Sequence, residues 1–341
     1  MMRGMYSQGP AWYRFERDAP GGNVQSEILV PCGLLSLGVG AWPPEAPTHH
    51  ASDGMPWAWA DYDGDGLMSP AEFVNETVAH KARPYWNVWG SSTASDGSLW
   101  LVSEDPWMRA YAAVWNASTG CLSYDWADPI VNLSTALPPF ERMERVLYQP
   151  ETDTLFVSGF TAAESDWDNV WGETGRVMQR YDGFLHGART PGASWLLPWT
   201  NHSCPGVCSV DNAKSLAVVD DVVALVVGTS ATVYIYNATT GAQLRTMDGE
   251  CPSRGESPAG AHPLPHPQPN QPSHQIHPRT VARGGAAMGN YSGWIDTPFG
   301  LTLSRVNPAA PVGTAKQYIV CVEEDGRLKI VTYRFAAGVV A

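Results

Sequence analysis

The 341 residues predict a mainly β fold of short strands joined by turns, and three observations carry that prediction. Glycine and proline are abundant, at 33 and 28 copies, and few stretches repeat at the helical period. Hydrophobic residues reach 44% against 16% charged, which supplies a sizeable core. The third observation is a recurring unit: an apolar strand, a polar break, then a second strand that ends in aromatic residues and a turn.

Four copies of the unit stand in the chain. Ser98-Leu-Trp-Leu-Val-Ser103 precedes Met108-Arg-Ala-Tyr-Ala-Ala-Val-Trp115 and the turn Asn116-Ala-Ser-Thr-Gly120. Thr154-Leu-Phe-Val-Ser158 precedes Arg176-Val-Met-Gln-Arg-Tyr181. Val222-Val-Ala-Leu-Val-Val227 precedes Thr232-Val-Tyr-Ile-Tyr236 and Asn237-Ala-Thr-Thr-Gly241. Gln317-Tyr-Ile-Val-Cys-Val322 precedes Arg327-Leu-Lys-Ile-Val-Thr-Tyr333, and Ala11-Trp-Tyr-Arg-Phe15 is a candidate fifth strand region. A strand apolar on both faces followed by an alternating one is what stacked sheets require. Sheets stacked radially make a β-propeller, complete or as part of a larger ring, with a β-sandwich as the structural alternative. Val233-Tyr-Ile-Tyr-Asn-Ala-Thr-Thr-Gly241 resembles the strand and turn of NHL-type and quinoprotein-type propeller blades. The organisation expected is a strand region over 1–55, an inserted loop over 56–84, and blades over 85–341 with a Pro- and His-rich stretch at 252–285.

The insertion carries the most specific chemistry. In Asp61-Tyr-Asp63-Gly-Asp65-Gly66-Leu67-Met68-Ser69-Pro-Ala-Glu72, carboxylates fill the first, third and fifth positions, glycine the sixth and glutamate the twelfth. A hard cation takes six to eight oxygens at about 2.3–2.6 Å, and alternating Asp residues on a tight turn present them without mutual obstruction. The spacing is similar to an EF-hand calcium loop. That resemblance implies side-chain oxygens from Asp61, Asp63 and Asp65, the Leu67 carbonyl, a direct or water-mediated Ser69 contact and a bidentate Glu72. On the outgoing side Ser69 and Pro70 suit a helix start, and Phe73, Val74, Thr77 and Val78 form one helical face. Pro56-Trp-Ala-Trp-Ala60 on the incoming side lacks helical character, and no second loop of this kind occurs. A lone loop of this form implies that calcium pins structure rather than senses concentration.

A formal net charge of −13 opposes nucleic acid and anionic lipid, and no apolar run approaches the roughly 20 residues that span a bilayer. Asn75, Asn116, Asn132, Asn201, Asn237 and Asn290 each head a glycosylation sequon, half of the asparagines present and several times chance. Six cysteines, Cys32, Cys121, Cys204, Cys208, Cys251 and Cys321, are compatible with disulfides, Cys204 and Cys208 being the one local pair. Together these features predict a secreted or extracellular protein. Because the first thirty residues lack a signal peptide's apolar segment, the expectation is an N-terminus truncated here. His202 near Cys204 and Cys208, and His262, His266, His274 and His277 in the Pro-rich stretch, are weak metal candidates without further ligands.

A second candidate site is the loop from Asp166 to Glu173. Trp167 and Trp171 offer flat faces to sugar rings, while Asp166, Asp168 and Glu173 offer hydroxyl acceptors. The function expected is a non-catalytic module that binds a glycan or an extracellular protein, with calcium as its cofactor. The competing class is an extracellular carbohydrate-active enzyme or quinoprotein-like oxidoreductase. Against it, the sequence holds no Gly-x-Ser-x-Gly, no His-Glu-x-x-His, no phosphate loop and no adjacent Cys pair.

Overall fold

The computed structural model describes residues 10–16, 28–36, 57–74, 90–102, 107–165, 174–200, 211–227, 233–247, 301–306, 316–324 and 329–336. Strands dominate them: twenty-one strands accompany two single-turn 3-10 segments. The first sheet joins β1 (Ala11–Glu16), β2 (Ile28–Ser36) and β3 (Trp57–Ala60). The second joins β4 (Ser91–Thr93), β5 (Leu99–Val102), β6 (Met108–Tyr111) and β9 (Val131–Leu133), with the ribbon β7 (Ala113–Asn116) and β8 (Cys121–Tyr124) between β6 and β9 in the chain. The third holds β10 (Phe140–Gln149), β11 (Thr154–Thr161), β12 (Val177–Asp182) and β13 (Thr190–Leu196). The fourth runs through β14 (Trp199–Thr200), β15 (Asp211–Val219), β16 (Val222–Val227), β17 (Val233–Asn237) and β18 (Gln243–Met247). The fifth is β19 (Leu301–Arg305), β20 (Gln317–Glu324) and β21 (Lys329–Ala336).

In each sheet the strands bond in chain order, which makes five consecutive meanders, the blade arrangement of a β-propeller. The apolar strands β5, β11 and β16 are buried along their whole length. This matches their position, since each has a neighbour on both sides of its sheet. The Met108 to Trp115 stretch, expected as one strand, breaks at Ala112 into β6 and β7. Trp57–Ala60, expected within the insertion, is the third strand of the first sheet.

The chain divides into two compact units. In the first, Met1–Asp166 with Tyr181–Pro191, the buried cluster includes Trp12, Cys32, Leu99, Leu101, Tyr111, Tyr124 and Trp126. Trp100 is fully buried, its ring 4.5 Å from Tyr148 and 5.9 Å from Phe184, and its indole N–H donates to Ser98 Oγ at 2.9 Å. In the second, Trp167–Arg180 with Gly192–Ala341, the cluster is mostly aliphatic: Val222, Ala224, Val226, Val233, Ile235, Leu303 and Val320, with Tyr318 and Phe335.

Candidate metal centre

The acidic loop starts where a strand ends. Gly33 to Ser36 of β2 pair with Trp57 to Ala60, and the Asp61 N–H extends that ladder by donating to the Cys32 carbonyl at 2.9 Å. The chain then turns on its own carboxylates. Gly64 N–H donates to Asp61 Oδ1 at 2.8 Å and Gly66 N–H to Asp61 Oδ2 at 3.1 Å. Asp65 N–H donates to Asp63 Oδ1 at 3.1 Å, and Leu67 N–H to Asp65 Oδ1 at 2.7 Å. Gly66, at φ +74°, takes the left-handed backbone that the reversal needs, and a side chain there would meet Val30.

This folding gathers one oxygen each from Asp61, Asp63 and Asp65 within 4.8 Å of one another. That separation is about twice a calcium–oxygen distance, so one ion placed among them reaches all three. Asp61 is buried, while Asp63 and Asp65 face solvent. The Arg14 guanidinium from β1 lies 3.1 Å from Asp61 Oδ2 and donates to the Gly64 carbonyl at 2.7 Å.

Glu72 stands outside that close set and closes the loop from the other end. Its Oε1 accepts the Tyr62 N–H at 3.0 Å, and its Oε2 accepts the Trp59 indole at 3.1 Å and the Ser69 N–H and hydroxyl at 3.1 and 3.0 Å. Burial opposes ionisation of Glu72, but these hydrogen bonds outweigh it and hold the carboxyl below its ordinary range. The Tyr62 hydroxyl is pushed up by burial and by the negative charges of Asp125 and Glu72.

The outgoing helix expected to start at Ser69 and Pro70 does not form as far as Val74, where the described residues end. Pro70–Glu72 make a single 3-10 turn, after which Phe73 is extended and bridges Trp59, and Val74 N–H donates to the Ala58 carbonyl at 2.8 Å. Sheet pairing of an aromatic and a β-branched residue overrides the local helix-start signal from Ser69 and Pro70. The loop therefore leaves β3 and returns to it. Thr77 and Val78 lie outside the described residues, as do all of Asp166 to Glu173, the Cys204 and Cys208 pair, Cys251, His202 and the Pro- and His-rich stretch.

Two partners of the loop had no local signal: Arg14, and the disulfide between Cys32 and Cys121, whose Cα atoms are 5.3 Å apart. Cys321 is a free thiol. The sequon asparagines gain a structural role at two positions. Asn116 Oδ1 accepts the N–H and hydroxyl of Ser118, and Asn237 Oδ1 accepts the N–H groups of Thr239 and Thr240 and the Thr240 hydroxyl. Both turns end in a positive-φ glycine, Gly120 and Gly241. Asn, Ser or Thr and Gly here are the residues the turn itself requires, so these two sequons are explained without glycosylation. Asn132 is exposed and accepts from Arg109, while Asn75, Asn201 and Asn290 lie outside the described residues.

No protein family matches the chain. No curated protein matches it either. Among solved structures, Sqt1 of Chaetomium thermophilum is similar at 17% identity over 70% of this chain and 53% of that one, with a TM-score of 0.34. Sqt1 bound to the N-terminus of ribosomal protein L10 is similar at 16% identity over 69% of this chain and 55% of that one, again with a TM-score of 0.34. The chain thus spans about half the length of these structures. At such values the propeller assignment rests on the strand order of the five sheets and not on the likeness. Among the described residues no helix is long and apolar enough to cross a membrane.

Proposed function

We propose that this chain is a calcium-stabilised, non-catalytic binding module of the secretory or extracellular space. The observation that carries the calcium reading is the set of three Asp oxygens within 4.8 Å on a loop with both ends tied to one strand. Asp61, Asp63 and Asp65 would hold the ion, with the Leu67 carbonyl, Ser69 and a Glu72 turned from its present hydrogen bonds completing the oxygen shell. Such an ion pins the loop against the first sheet. The loop's being the one copy of its kind in the sequence supports a structural ion over a sensor's.

The buried disulfide supports an oxidising compartment. A meander of rigid sheets presents loops for recognition, which supports binding of a glycan or another extracellular protein over turnover. The calcium reading is tested by melting and calorimetry. Calcium at micromolar to millimolar concentration should raise the melting temperature, and Asp61→Ala should abolish the rise. Absence of any binding heat at millimolar calcium overturns the reading.

A further inference from the structure

The acidic loop sits between the two segments that the disulfide joins. A side chain at Gly66 would strike Val30, two residues before Cys32, and one at Gly64 would strike Thr119, two residues before Cys121. Cys32 grips Asp61 through the backbone bond from the Asp61 N–H. Cys121 reaches the same residue through its side chain, with Sγ 3.7 Å from Asp61 Oδ2 and 3.1 Å from the Arg14 Nη1 that pairs with that oxygen. Lacking a proton, a disulfide sulfur makes no hydrogen bond to Asp61; the contact is packing. Both cysteines are buried, at 1% and 2% exposure, so neither sulfur moves into solvent without displacing its neighbours.

We infer that the Cys32–Cys121 bond is a redox latch on the Asp61–Glu72 loop, so that its reduction loosens the loop and weakens cation binding there. An external dithiol supplies two electrons and two protons. The bond between the sulfurs breaks, an S–H bond forms on Cys32 and on Cys121, and the dithiol closes to its own disulfide. The freed sulfurs must then separate to van der Waals contact. Because Cys32 carries the Asp61 backbone and Cys121 carries the floor beneath its carboxylate and Arg14, that separation pulls apart the seat of the first ligand position. Linkage is reciprocal: whatever factor reduction costs in calcium affinity, bound calcium must return as resistance of the disulfide to reduction. The ligand in this inference rests on the calcium reading above, whereas the latch geometry does not.

The test compares oxidised protein, dithiol-reduced protein and the Cys32→Ser/Cys121→Ser variant, by calcium calorimetry and by amide hydrogen exchange. Exchange is followed at Gly64, Gly66 and Leu67, with β16 in the second unit as the control for global unfolding. The latch predicts faster exchange in the loop with β16 unchanged, and calcium affinity at least tenfold weaker in both thiol states. Equal loop protection in all three states overturns it, as does loss of protection in β16 alongside the loop, which makes the bond a general staple. Oxidised protein that binds no calcium sinks the proposed function alone, and loop exchange still decides the latch. Calcium bound equally tightly in all three states sinks the coupling alone.

Discussion

The two units hold themselves together by different means. In the first, strands β3 to β9 are only three or four residues long, so each of their ladders offers few hydrogen bonds, unlike β10 and β11 of the same unit, which pair at eight positions. Aromatic side chains with polar tips make up the difference: Trp12 donates to the Leu122 carbonyl at 2.6 Å and packs edge-on against Tyr124, whose hydroxyl donates to the Gly97 carbonyl. The disulfide adds a covalent tie across 89 residues. In the second unit β15, β16 and β17 run nine, six and five residues, and β16 is bonded along its length on both sides. There aliphatic packing on long ladders suffices, with the Tyr318 hydroxyl tied to Asp220 at a hairpin end. Short strands thus demand side-chain and covalent links, and the candidate metal loop follows one of those strands, β3.

The largest effect expected from this contrast is Trp100→Ala, which should cost about 3–5 kcal/mol and disturb the Tyr148 and Phe184 rings it touches. Leu225→Ala in the second unit should cost about 2–4 kcal/mol, with no comparable loss of near-ultraviolet ellipticity. Urea unfolding of both variants ranks them, and a larger cost at Leu225 breaks the comparison.

A smaller effect belongs to a carboxylate tie in the first unit. Asp153 occupies the left-handed region at φ 48° and accepts the Tyr148 hydroxyl and the N–H groups of Leu185 and His186. Burial opposes its ionisation, yet these donors prevail and hold the carboxyl below its ordinary 3.8. Its folded value is the depressed one, so its stabilisation is present above 3.8 and is lost as pH falls through the folded value. Asp153→Asn should cost about 1–3 kcal/mol at neutral pH, and the gap to wild type should close in acid. A gap that does not change with pH contradicts the assignment.

The smallest effect sharpens the comparison by its sameness. The turns at Asn116 and Asn237 use identical chemistry in the two units, so either Asn→Ala should cost about 1 kcal/mol, while Asn→Asp keeps the acceptor and costs less. Thermal melts of protein made without glycosylation decide this. An Asn→Asp cost equal to that of Asn→Ala removes the turn explanation of the sequons.

These contrasts also show why parts of the molecule were legible in sequence and parts were not. β16 and β17 could be read because an apolar run, an aromatic alternation and an Asn-Ala-Thr-Thr-Gly turn lie within twenty residues of each other. β10 was not, since its Glu141, Arg142, Glu144 and Arg145 resemble a solvated segment, although Glu144 and Arg145 are buried and Arg142 pairs with Glu144. The three Asp residues of the loop were visible because their spacing is local. Arg14 and Cys121 reach Asp61 from 47 and 60 residues away, and no local pattern encodes such partners. The start of the outgoing helix, as far as Val74, was misread for the same reason: the Trp59 and Phe73 bridge is a tertiary choice that Ser69 and Pro70 cannot announce.

Terbium luminescence tests the central claim most directly, because Trp59 donates to Glu72 Oε2 at 3.1 Å and Tyr62 lies within the loop, so excitation of either ring should sensitise a lanthanide held there. The account predicts terbium emission on excitation of the aromatic residues, displaced stoichiometrically by calcium and absent in Asp61→Ala. No emission, or emission that survives Asp61→Ala, would contradict it.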